Sequence, residues 1–251
     1  MNLENKIALV TGGTKGIGAA TALALARDGA DIAISARHED AEAQSTRDAV
    51  RKLGRRCEFI AADYAKADDA TRSVEETVKR LGGIDVLVHS AGGPVNGGLF
   101  EITPDQWHAA FDVHVHAIFH LCRAAIPHLR PKREGAIVLV SSTAGIRGIV
   151  TNVAYQVAKG AIPQFTRALA REFANDNIRV NCVAPGVVRT AFHAGMTEAQ
   201  RKLNLEQRIP LHREGTPEHV ATVIAELVKN DYVTGETFTV DGGLTLRRDR
   251  G

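Results

Sequence analysis

Three side chains in the middle of the chain have the types and the spacing needed to move a proton. Tyr155 and Lys159 are four residues apart, so they share one face of a helix. A free phenol has a pKa of about 10 and a neighbouring ammonium favours the phenolate, so we expect Lys159 to lower the pKa of Tyr155. Ser142 adds a hydroxyl donor for the same oxygen. The trio indicates proton transfer to or from an alcohol or carbonyl oxygen.

A glycine-rich stretch near the N-terminus is typical of a dinucleotide site. It runs from Thr11 to Gly18, between a predicted strand and a predicted helix. Gly12 permits a tight turn, and Gly16 and Gly18 let the backbone approach a pyrophosphate at the helix N-terminus. The other residues expected to contact the cofactor there are Thr14, Lys15 and Ile17. The alternative is a turn that is glycine-rich for packing only; a P-loop is disfavoured because no Gly-Lys-Ser/Thr ending follows.

The residue after the second predicted strand indicates which nicotinamide cofactor binds. An acid at this place would bind a ribose 2′-hydroxyl and repel a 2′-phosphate. The sequence instead has Arg37, with no acid before Glu39. A guanidinium forms charge-assisted hydrogen bonds with a phosphate, and Lys15 can add a second cation. We therefore expect NADP(H), with two ordinary surface cations as the alternative.

Short aliphatic runs alternate with longer helical patterns along the chain, and this alternation predicts the elements that must position these groups. Nearly unbroken apolar runs predict strands buried on both faces of a parallel sheet. The alternation therefore predicts an α/β fold, a single-domain, doubly wound parallel sheet of about seven strands with helices on both faces. The predicted strands are 7–10, 31–35, 57–61, 84–89, 136–141, 179–183 and 237–240, and the predicted helices are 16–28, 39–53, 67–81, 104–130, 153–175 and 217–229.

The stretch 186–215 has no clear strand pattern and follows a predicted strand. It therefore falls at the carboxyl edge of the sheet, where such folds bind ligands. We expect it to be a loop that covers the substrate, with a static surface insertion as the alternative.

Composition and charge exclude several classes of function. The chain has 251 residues and a net charge of +2, so no strong field favours nucleic acid or membrane surfaces. No run has the length and apolarity of a membrane span or a secretory signal. Three cysteines without zinc spacing predict reduced thiols in a cytoplasmic protein. We expect the basic run 247–250 to be a solvated tail.

Four histidines, His108, His114, His116 and His120, invite a metal-site interpretation. His116 and His120 share a helical face, but no acid or cysteine completes a set with recognisable metal spacing. We therefore expect no metal, and packing against a neighbouring subunit is the favoured alternative.

These motifs together resemble the short-chain dehydrogenase/reductase family over nearly the whole chain. Thr11-Gly-x-x-x-Gly16-x-Gly18 is similar to the family's cofactor turn, and Tyr155-x-x-x-Lys159 with Ser142 thirteen residues earlier is similar to its catalytic set. Further matches are Asp63 after strand three, Ser90-Ala91-Gly92 after strand four and Pro185-Gly186-x-x-x-Thr190 after strand six. The resemblance implies a Rossmann-like fold in which Asp63 contacts the adenine. It also implies that the nicotinamide carboxamide is bound by the segment that contains Pro185, Gly186, Val188 and Thr190.

The resemblance implies hydride transfer between NADP(H) and a carbonyl or secondary alcohol. Tyr155 would be the general acid or base, Ser142 would polarise the oxygen, and Lys159 would lower the tyrosine pKa and hold the nicotinamide ribose. It also implies a homo-oligomer, a homotetramer through the long helix before Ser142 and the Tyr155 helix.

The substrate is left open by the sequence. C-terminal motifs resemble 3-oxoacyl-carrier-protein reductases, but Asp176 lies near where those enzymes tend to present a basic residue to the acidic carrier. A carbonyl reductase that acts on a free small molecule is at least an equal interpretation. A non-catalytic NADP(H)-sensing module is the alternative from another class, disfavoured by the intact trio.

Two positions depart from the family pattern. His114 stands where the family has a catalytic Asn, which by resemblance holds a helix distortion and a water that relays protons to the lysine. An imidazole can donate or accept a hydrogen bond, so we expect His114 to serve in this relay and to titrate near neutral pH. A tolerated substitution is the alternative. His89 and Ser90 replace two asparagines, which changes the side-chain contacts expected there but not the backbone ones.

Overall fold

The structure, a computed structural model, describes residues 1–193 and 195–246, and a seven-stranded sheet lies at its centre. The strand order is β3-β2-β1-β4-β5-β6-β7, and every neighbouring pair is parallel. The strands are β1 (Ile7–Thr11), β2 (Asp31–Ala36), β3 (Cys57–Ala61), β4 (Val86–His89), β5 (Gly135–Val140), β6 (Ile178–Pro185) and β7 (Thr237–Val240). The predicted doubly wound sheet is confirmed. The basic run 247–250 lies outside the described residues.

Helices cover both faces of the sheet. They are α1 (Gly16–Arg27), α2 (Ala41–Lys52), α3 (Ala67–Leu81), α4 (Pro104–Phe111), α5 (Ala117–Leu129), α6 (Val153–Glu172), α7 (Glu198–Leu203) and α8 (Pro217–Lys229). One apolar layer packs α1, α2 and α8 on the sheet, and the other packs α3, α5 and α6 on the opposite face. All three cysteines, Cys57, Cys122 and Cys182, are free thiols buried in these layers.

The structure corrects the prediction of one continuous helix over 104–130. A π-helical turn, Asp112–His116, separates α4 from α5. Its cause is tertiary, because the Val113 carbonyl accepts a hydrogen bond from His89 Nε2 at 3.2 Å. A π-turn frees such a carbonyl from the regular helical ladder. The segment 186–215 also has more regular structure than predicted, since it contains α7 and a π-helical turn, Asn204–Arg208.

The site is positioned by the point at which the winding of the sheet reverses. The chain runs outward from β1 to β3 on one side and from β4 to β7 on the other, so β1 and β4 are neighbours. The loops after β1 and β4 therefore part and leave a crevice at the carboxyl edge, where open α/β sheets bind ligands. Within the described part of the chain, no helix combines the length and apolarity needed to cross a membrane.

Candidate functional site

The glycine-rich turn after β1 is closely packed and leaves a helix end open. Gly12 and Gly16 have left-handed φ values of +63° and +54°. A Cβ at Gly18 would lie 2.1 Å from the Gly12 carbonyl oxygen, so only glycine fits there. The N-cap residue of α1, Lys15, makes no side-chain capping hydrogen bond. The first N–H groups of α1 thus face an anion site, and this cradle fits a pyrophosphate.

Three further residues of this turn were predicted to contact the cofactor, and the structure gives each of them different contacts. Thr14 is buried and its carbonyl accepts from Thr46 Oγ1 at 3.0 Å, which ties the turn to α2. Ile17 packs against the apolar layer beneath α1. Lys15 Nζ forms an exposed ion pair with Glu42 at 3.1 Å, so its charge is shared with that carboxylate.

A buried polar node joins the ends of β1 and β4, and sequence reasoning missed it. The Thr11 hydroxyl oxygen accepts from the Ser90 and Ala91 N–H groups at 3.1 and 3.2 Å. Its own proton therefore points to His89 Nδ1, 2.9 Å away, and His89 Nε2 donates to the Val113 carbonyl. Burial lowers the pKa of His89 to about 3, so the ring is neutral. This node fixes the Ser90–Gly92 backbone beside the glycine turn.

The structure brings Ser142, Tyr155 and Lys159 together at the carboxyl end of β5. Ser142 follows β5, and the other two side chains come from the first two turns of α6. Lys159 Nζ lies 5.8 Å from the centre of the Tyr155 ring and donates to the Val140 carbonyl at 2.7 Å. The Ser142 hydroxyl interacts with the Tyr155 phenol and lowers its pKa. The arrangement can deliver a proton and a second hydrogen bond to one oxygen.

The protonation states of this trio differ from the expectation. Burial raises the pKa of Tyr155 to about 12, and the interaction with Ser142 offsets this only in part. Lys159 does not bring the pKa of Tyr155 below its ordinary value in this structure, because desolvation of the phenol outweighs the effects that lower it. Burial lowers the pKa of Lys159 to about 8. At neutral pH the pair is therefore a phenol beside an ammonium, poised to give a proton rather than to take one.

A proline in α6 explains how Lys159 is held. In a regular helix the Lys159 carbonyl would accept from the N–H of residue 163, but this residue is Pro163 and has none. The Ser141 hydroxyl supplies the missing donor at 2.7 Å. Gly145 packs on the same carbonyl carbon, because a Cβ there would lie 2.5 Å from it. The end of β5 is thereby fixed to α6 at Lys159.

His114 lies inside the site, on the π-helical turn. Its Nε2 donates to the Gly93 carbonyl at 3.0 Å, and its ring meets the Tyr155 ring edge-on at 5.5 Å. Burial and the nearby Lys159 charge lower the pKa of His114 to about 2. The expectation that His114 titrates near neutral pH is therefore wrong. Its Nδ1 is buried and has no hydrogen-bond partner among the described residues, so it offers an acceptor lone pair.

The loop after β4 is shaped around this imidazole. Gly92 has a φ of +149°, and a Cβ there would lie 2.2 Å from His114 Cε1. The His114 ring therefore fits at this place only because residue 92 is a glycine. The imidazole thus fixes the loop that passes in front of Tyr155.

A shallow cavity beyond β2 gathers the residues predicted to bind the adenosine end. It measures about 380 Å³ and contains Arg37 and Asp63, so the structure brings these two together. Lys66 and His38 line the same cavity and were missed from the sequence. The only sequence signal for them is that His38 directly follows Arg37 and Lys66 lies three residues after Asp63. The Lys66 ammonium adds a charge that suits a phosphate, whereas the Arg72 guanidinium in the same cavity is paired with Asp69 at 2.8 Å.

The segment after β6 borders the glycine turn. A Cβ at Gly16 would lie 3.2 Å from the Thr190 methyl group, and one at Gly186 would lie 2.7 Å from Asp241 Cβ. Pro185 ends β6 and is buried, whereas Thr190 is partly exposed. The Val188 side chain is 2% exposed and packs in the core, so its predicted cofactor contact is limited to the backbone.

Phe192 was also missed from the sequence. Its ring lies 5.7 Å from the Tyr155 ring, tilted by 47°. It comes from the irregular segment 186–215, where no periodicity marks which residues point inward.

The histidine-rich helix has other partners. His116 Nδ1 lies 2.8 Å from Asp112 Oδ1, and the His120 ring packs on Phe119. In the part of the chain that the structure describes, no group of three His, Cys, Asp or Glu side chains is arranged to hold a metal ion.

Comparison with known proteins gives consistent matches over the whole chain. The profile of a family described as "Enoyl-(Acyl carrier protein) reductase" matches residues 12–245. The 3-oxoacyl-[acyl-carrier-protein] reductase FabG of Chlamydia muridarum is 36% identical over 244 residues, which is 96% of this chain and 98% of that protein.

Solved structures agree with this likeness. A short-chain type dehydrogenase/reductase from Mycobacterium marinum superposes with a TM-score of 0.91 at 31% identity, covering 98% of each chain. A blue fluorescent protein from a metagenomic library, solved in complex with NADPH, has a TM-score of 0.88 at 34% identity, covering 98% of this chain and 100% of its own.

Proposed function

Because the chain belongs to the short-chain dehydrogenase/reductase family, we propose that it is an NADP(H)-dependent reductase of free ketones or aldehydes. Membership makes it an oxidoreductase of CH–OH or C=O groups. The observation that carries the proposal is the protonated Tyr155 phenol, held beside Ser142 and the buried Lys159 ammonium. A phenol that is protonated at neutral pH is in the state needed to give a proton to a carbonyl oxygen.

In the proposed mechanism, each residue of the trio acts on the substrate oxygen. When bound, the nicotinamide supplies the hydride for the carbonyl carbon. Ser142 Oγ donates a hydrogen bond to the carbonyl oxygen, and Tyr155 Oη transfers its proton to the same atom. The Lys159 ammonium then stabilises the phenolate left on Tyr155. His114 keeps the tyrosine ring in place through its edge-on contact. A proton relay through its Nδ1 would need the loop after β4 to move, because that atom is buried.

The shape and charge of the crevice at the carboxyl edge of the sheet support NADP(H) as the cofactor. The glycine turn and the open end of α1 would hold the pyrophosphate, and the cavity with Arg37 and Asp63 would hold the adenosine 2′-phosphate and adenine. Backbone groups of Ser90, Ala91 and Gly92 and the 185–190 segment would border the nicotinamide half. The solved relative in complex with NADPH supports the same choice.

A free, apolar substrate is supported by the surroundings of Tyr155. Ile146 follows the Ser142 turn and Phe192 stacks near the tyrosine, and both are more than a third exposed. The segment 186–215, which supplies Phe192, is proposed to cover the substrate. Apolar surfaces left open beside a catalytic group suit an alkyl or aryl substituent.

A substrate linked to an acyl carrier is the second candidate, favoured by the named activity of the Chlamydia muridarum relative. Against it, Asp176 Oδ2 lies 2.8 Å from Arg130 Nε on the surface. This carboxylate neutralises a cation close to where such reductases tend to present basic residues to an acidic carrier. The ion pair therefore supports the free substrate over the carrier-linked one.

A homotetramer is proposed for the assembly, with a cytoplasmic setting. Phe119 on α5 and Val157 on α6 are large apolar side chains that are nearly half exposed. By family resemblance these two helices form subunit interfaces. Measurement of the molar mass in solution by light scattering tests this assembly, and a monomer would contradict it.

The decisive experiment compares the native enzyme with Tyr155→Phe. Carbonyl reduction is followed by NADPH oxidation with a free aryl ketone, a free 3-oxoester and a 3-oxoacyl carrier protein as substrates. We expect the variant to lose on the order of 10²–10⁴-fold in kcat because the proton donor is gone. NADPH affinity should stay close to native, which controls for folding. A variant that reduces ketones at the native rate would contradict the catalytic assignment, and activity only on the carrier-linked substrate would select the second candidate.

A further inference from the structure

One buried carboxylate, Glu214, joins two segments that border the site. Its side chain is only 4% exposed, and its two oxygens face two different arginines. Oε2 lies 3.4 Å from Arg189 Nε, and Oε1 lies 3.4 Å from Arg201 Nε. Arg189 directly precedes Thr190 of the segment predicted to bind the nicotinamide, and Arg201 lies on α7. The carboxylate therefore bridges the cofactor groove and the proposed covering segment.

On the covering side of this bridge, α7 has no buried side chain of its own, and the next buried ones along the chain are Asn204 and Ile209. The helix α7 has six residues and none of them is buried. Thr197 and Gln200 form a capping box, which stabilises the helix internally but does not attach it to the sheet. A short helix without a buried face gains little from packing, so polar contacts decide where it rests. The Arg201–Glu214 pair is such a contact.

The other side of the bridge is fixed by backbone hydrogen bonds. The Gly215 N–H donates to the Val187 carbonyl and the Arg189 N–H donates to the Gly215 carbonyl, both at 2.9 Å. These bonds form an isolated parallel bridge between Val188 and Gly215. Glu214 is therefore held next to the end of β6, whereas none of these backbone hydrogen bonds reaches α7.

The two ion pairs of Glu214 favour the arrangement in which both segments are in place. A buried carboxylate that loses a cationic partner keeps its desolvation cost without the attraction that offsets it. Detachment of α7 takes the Arg201 guanidinium away from Glu214, and displacement of the 187–190 segment takes Arg189 away. The arrangement with both segments in place is the one in which the carboxylate is fully paired.

We propose that Glu214 is a positioning residue that latches α7 over the site and couples it to the nicotinamide segment. The inference rests on the proposed function, because it assigns a role to the proposed covering segment. Glu214 contacts neither the trio nor the glycine turn, so it acts through Arg189 and Arg201. Loss of the latch should weaken substrate retention while the proton-transfer groups stay intact.

The test compares Glu214→Gln and Arg201→Gln with Lys202→Gln. Lys202 lies on the same helix, but its ion pair is an exposed one with Glu206 within the covering segment. Hydrogen–deuterium exchange of peptides from 195–208 reports the latch without any substrate. We expect exchange on the order of tenfold faster in both latch variants and native exchange in Lys202→Gln. The KM for the ketone should rise several-fold in the latch variants with kcat little changed, and Arg201→Lys should restore part of the loss.

The double variant Glu214→Gln/Arg201→Gln adds a second test of the same contact. If the two residues act on each other, its exchange rate should equal that of the worse single variant rather than the product of both effects. Arg201 is half exposed, so Arg201→Gln keeps the test valid even if Glu214→Gln does not fold.

Two outcomes overturn the proposal. One is native exchange of 195–208 in Arg201→Gln, and the other is a loss of kcat with KM and exchange unchanged. If the native protein reduces no carbonyl at all, the proposed function fails, whereas the exchange measurement still decides whether the latch exists.

Discussion

At the scale of single residues, the site works through charges whose state is set by burial. Burial raises the pKa of Tyr155, so the phenol keeps its proton at neutral pH. Burial lowers the pKa of Lys159, so its ammonium loses a proton more readily than that of an exposed lysine. The sequence predicted that these side chains meet, since four-residue spacing on a helix is a local rule. It did not predict their protonation states, because burial depends on the sheet, α6 and the loop after β4 acting together.

The Lys159 charge predicts the pH dependence of reduction. Burial lowers the lysine pKa to about 8, so the ammonium is lost as the pH rises through this value. We expect kcat/KM for ketone reduction to be level near neutral pH and to fall above about pH 8, because the phenolate then loses its stabilising charge. A pH–rate profile with NADPH measures this. Lys159→Arg is the control, since its guanidinium stays charged; a limb near pH 8 in both proteins would assign the titration elsewhere.

Arg37 makes a prediction about cofactor choice. If it binds the 2′-phosphate, Arg37→Ala removes a charge-assisted hydrogen bond worth about 1.5–3 kcal/mol. NADPH affinity should then fall by about 10- to 100-fold while NADH affinity stays unchanged. Fluorescence titration with both cofactors measures this, and Lys52→Ala on α2, also exposed, is the matched control. Equal losses for NADPH and NADH would remove Arg37 from the 2′-phosphate site.

At the scale of elements, local sequence patterns predicted the buried strands but missed the features that depend on tertiary contacts. The run at 7–10 is aliphatic along its whole length and the run at 136–141 is aliphatic as far as Val140, and both became central strands. The π-helical turn at Asp112–His116 has no signal in the hydrophobic pattern, and only the family resemblance at His114 pointed to a distortion there. The turn is held by His89, which reaches across from β4. Phe192 was missed because an irregular segment has no period that separates inward from outward residues.

The contact between β5 and α6 makes a prediction about stability. Ser141→Ala removes the donor for the Lys159 carbonyl, which Pro163 cannot replace. We expect a loss of about 1–3 kcal/mol in the free energy of unfolding, measured in urea, because a buried acceptor is left unsatisfied.

A second hydroxyl on α6 supplies the control for that prediction. Thr166 Oγ1 also donates to a helix carbonyl, that of Ile162 at 2.9 Å, but this carbonyl keeps its own N–H partner within α6. Thr166→Val should therefore cost less than Ser141→Ala. An equal or greater loss in Thr166→Val would contradict the role given to Pro163.

At the scale of the whole molecule, two buried neutral histidines link folding to pH. The pKa is lowered to about 3 at His89 and about 2 at His114, against an unfolded value near 6.5. Below pH 6.5 the unfolded chain takes up protons that the folded chain does not, so stability is lost as the pH falls. Each histidine should cost about 1.4 kcal/mol per pH unit in this range.

His114→Asn tests this link. We expect the free energy of unfolding to fall less steeply between pH 6.5 and pH 5 in the variant, by about 2 kcal/mol over the interval. Urea unfolding at several pH values measures it, with His108→Asn as the control because solvent reaches that ring in both states. The ketone pH–rate profile should be the same in His114→Asn and the native enzyme around neutral pH. A profile that loses an acidic limb would restore a titrating role for His114.

The buried cysteines have a practical consequence for labelling. Burial raises the pKa of Cys57 and Cys122 to about 12 and also raises that of Cys182, so their thiolates are scarce at neutral pH. A cysteine introduced on α7, for example Gln200→Cys, would be the accessible thiol and would react with a maleimide dye ahead of the native ones. The three native cysteines therefore do not have to be removed before a single fluorophore is attached to α7. A second dye at the exposed Lys52, introduced as Lys52→Cys in the same chain, would allow distances to be followed in single molecules.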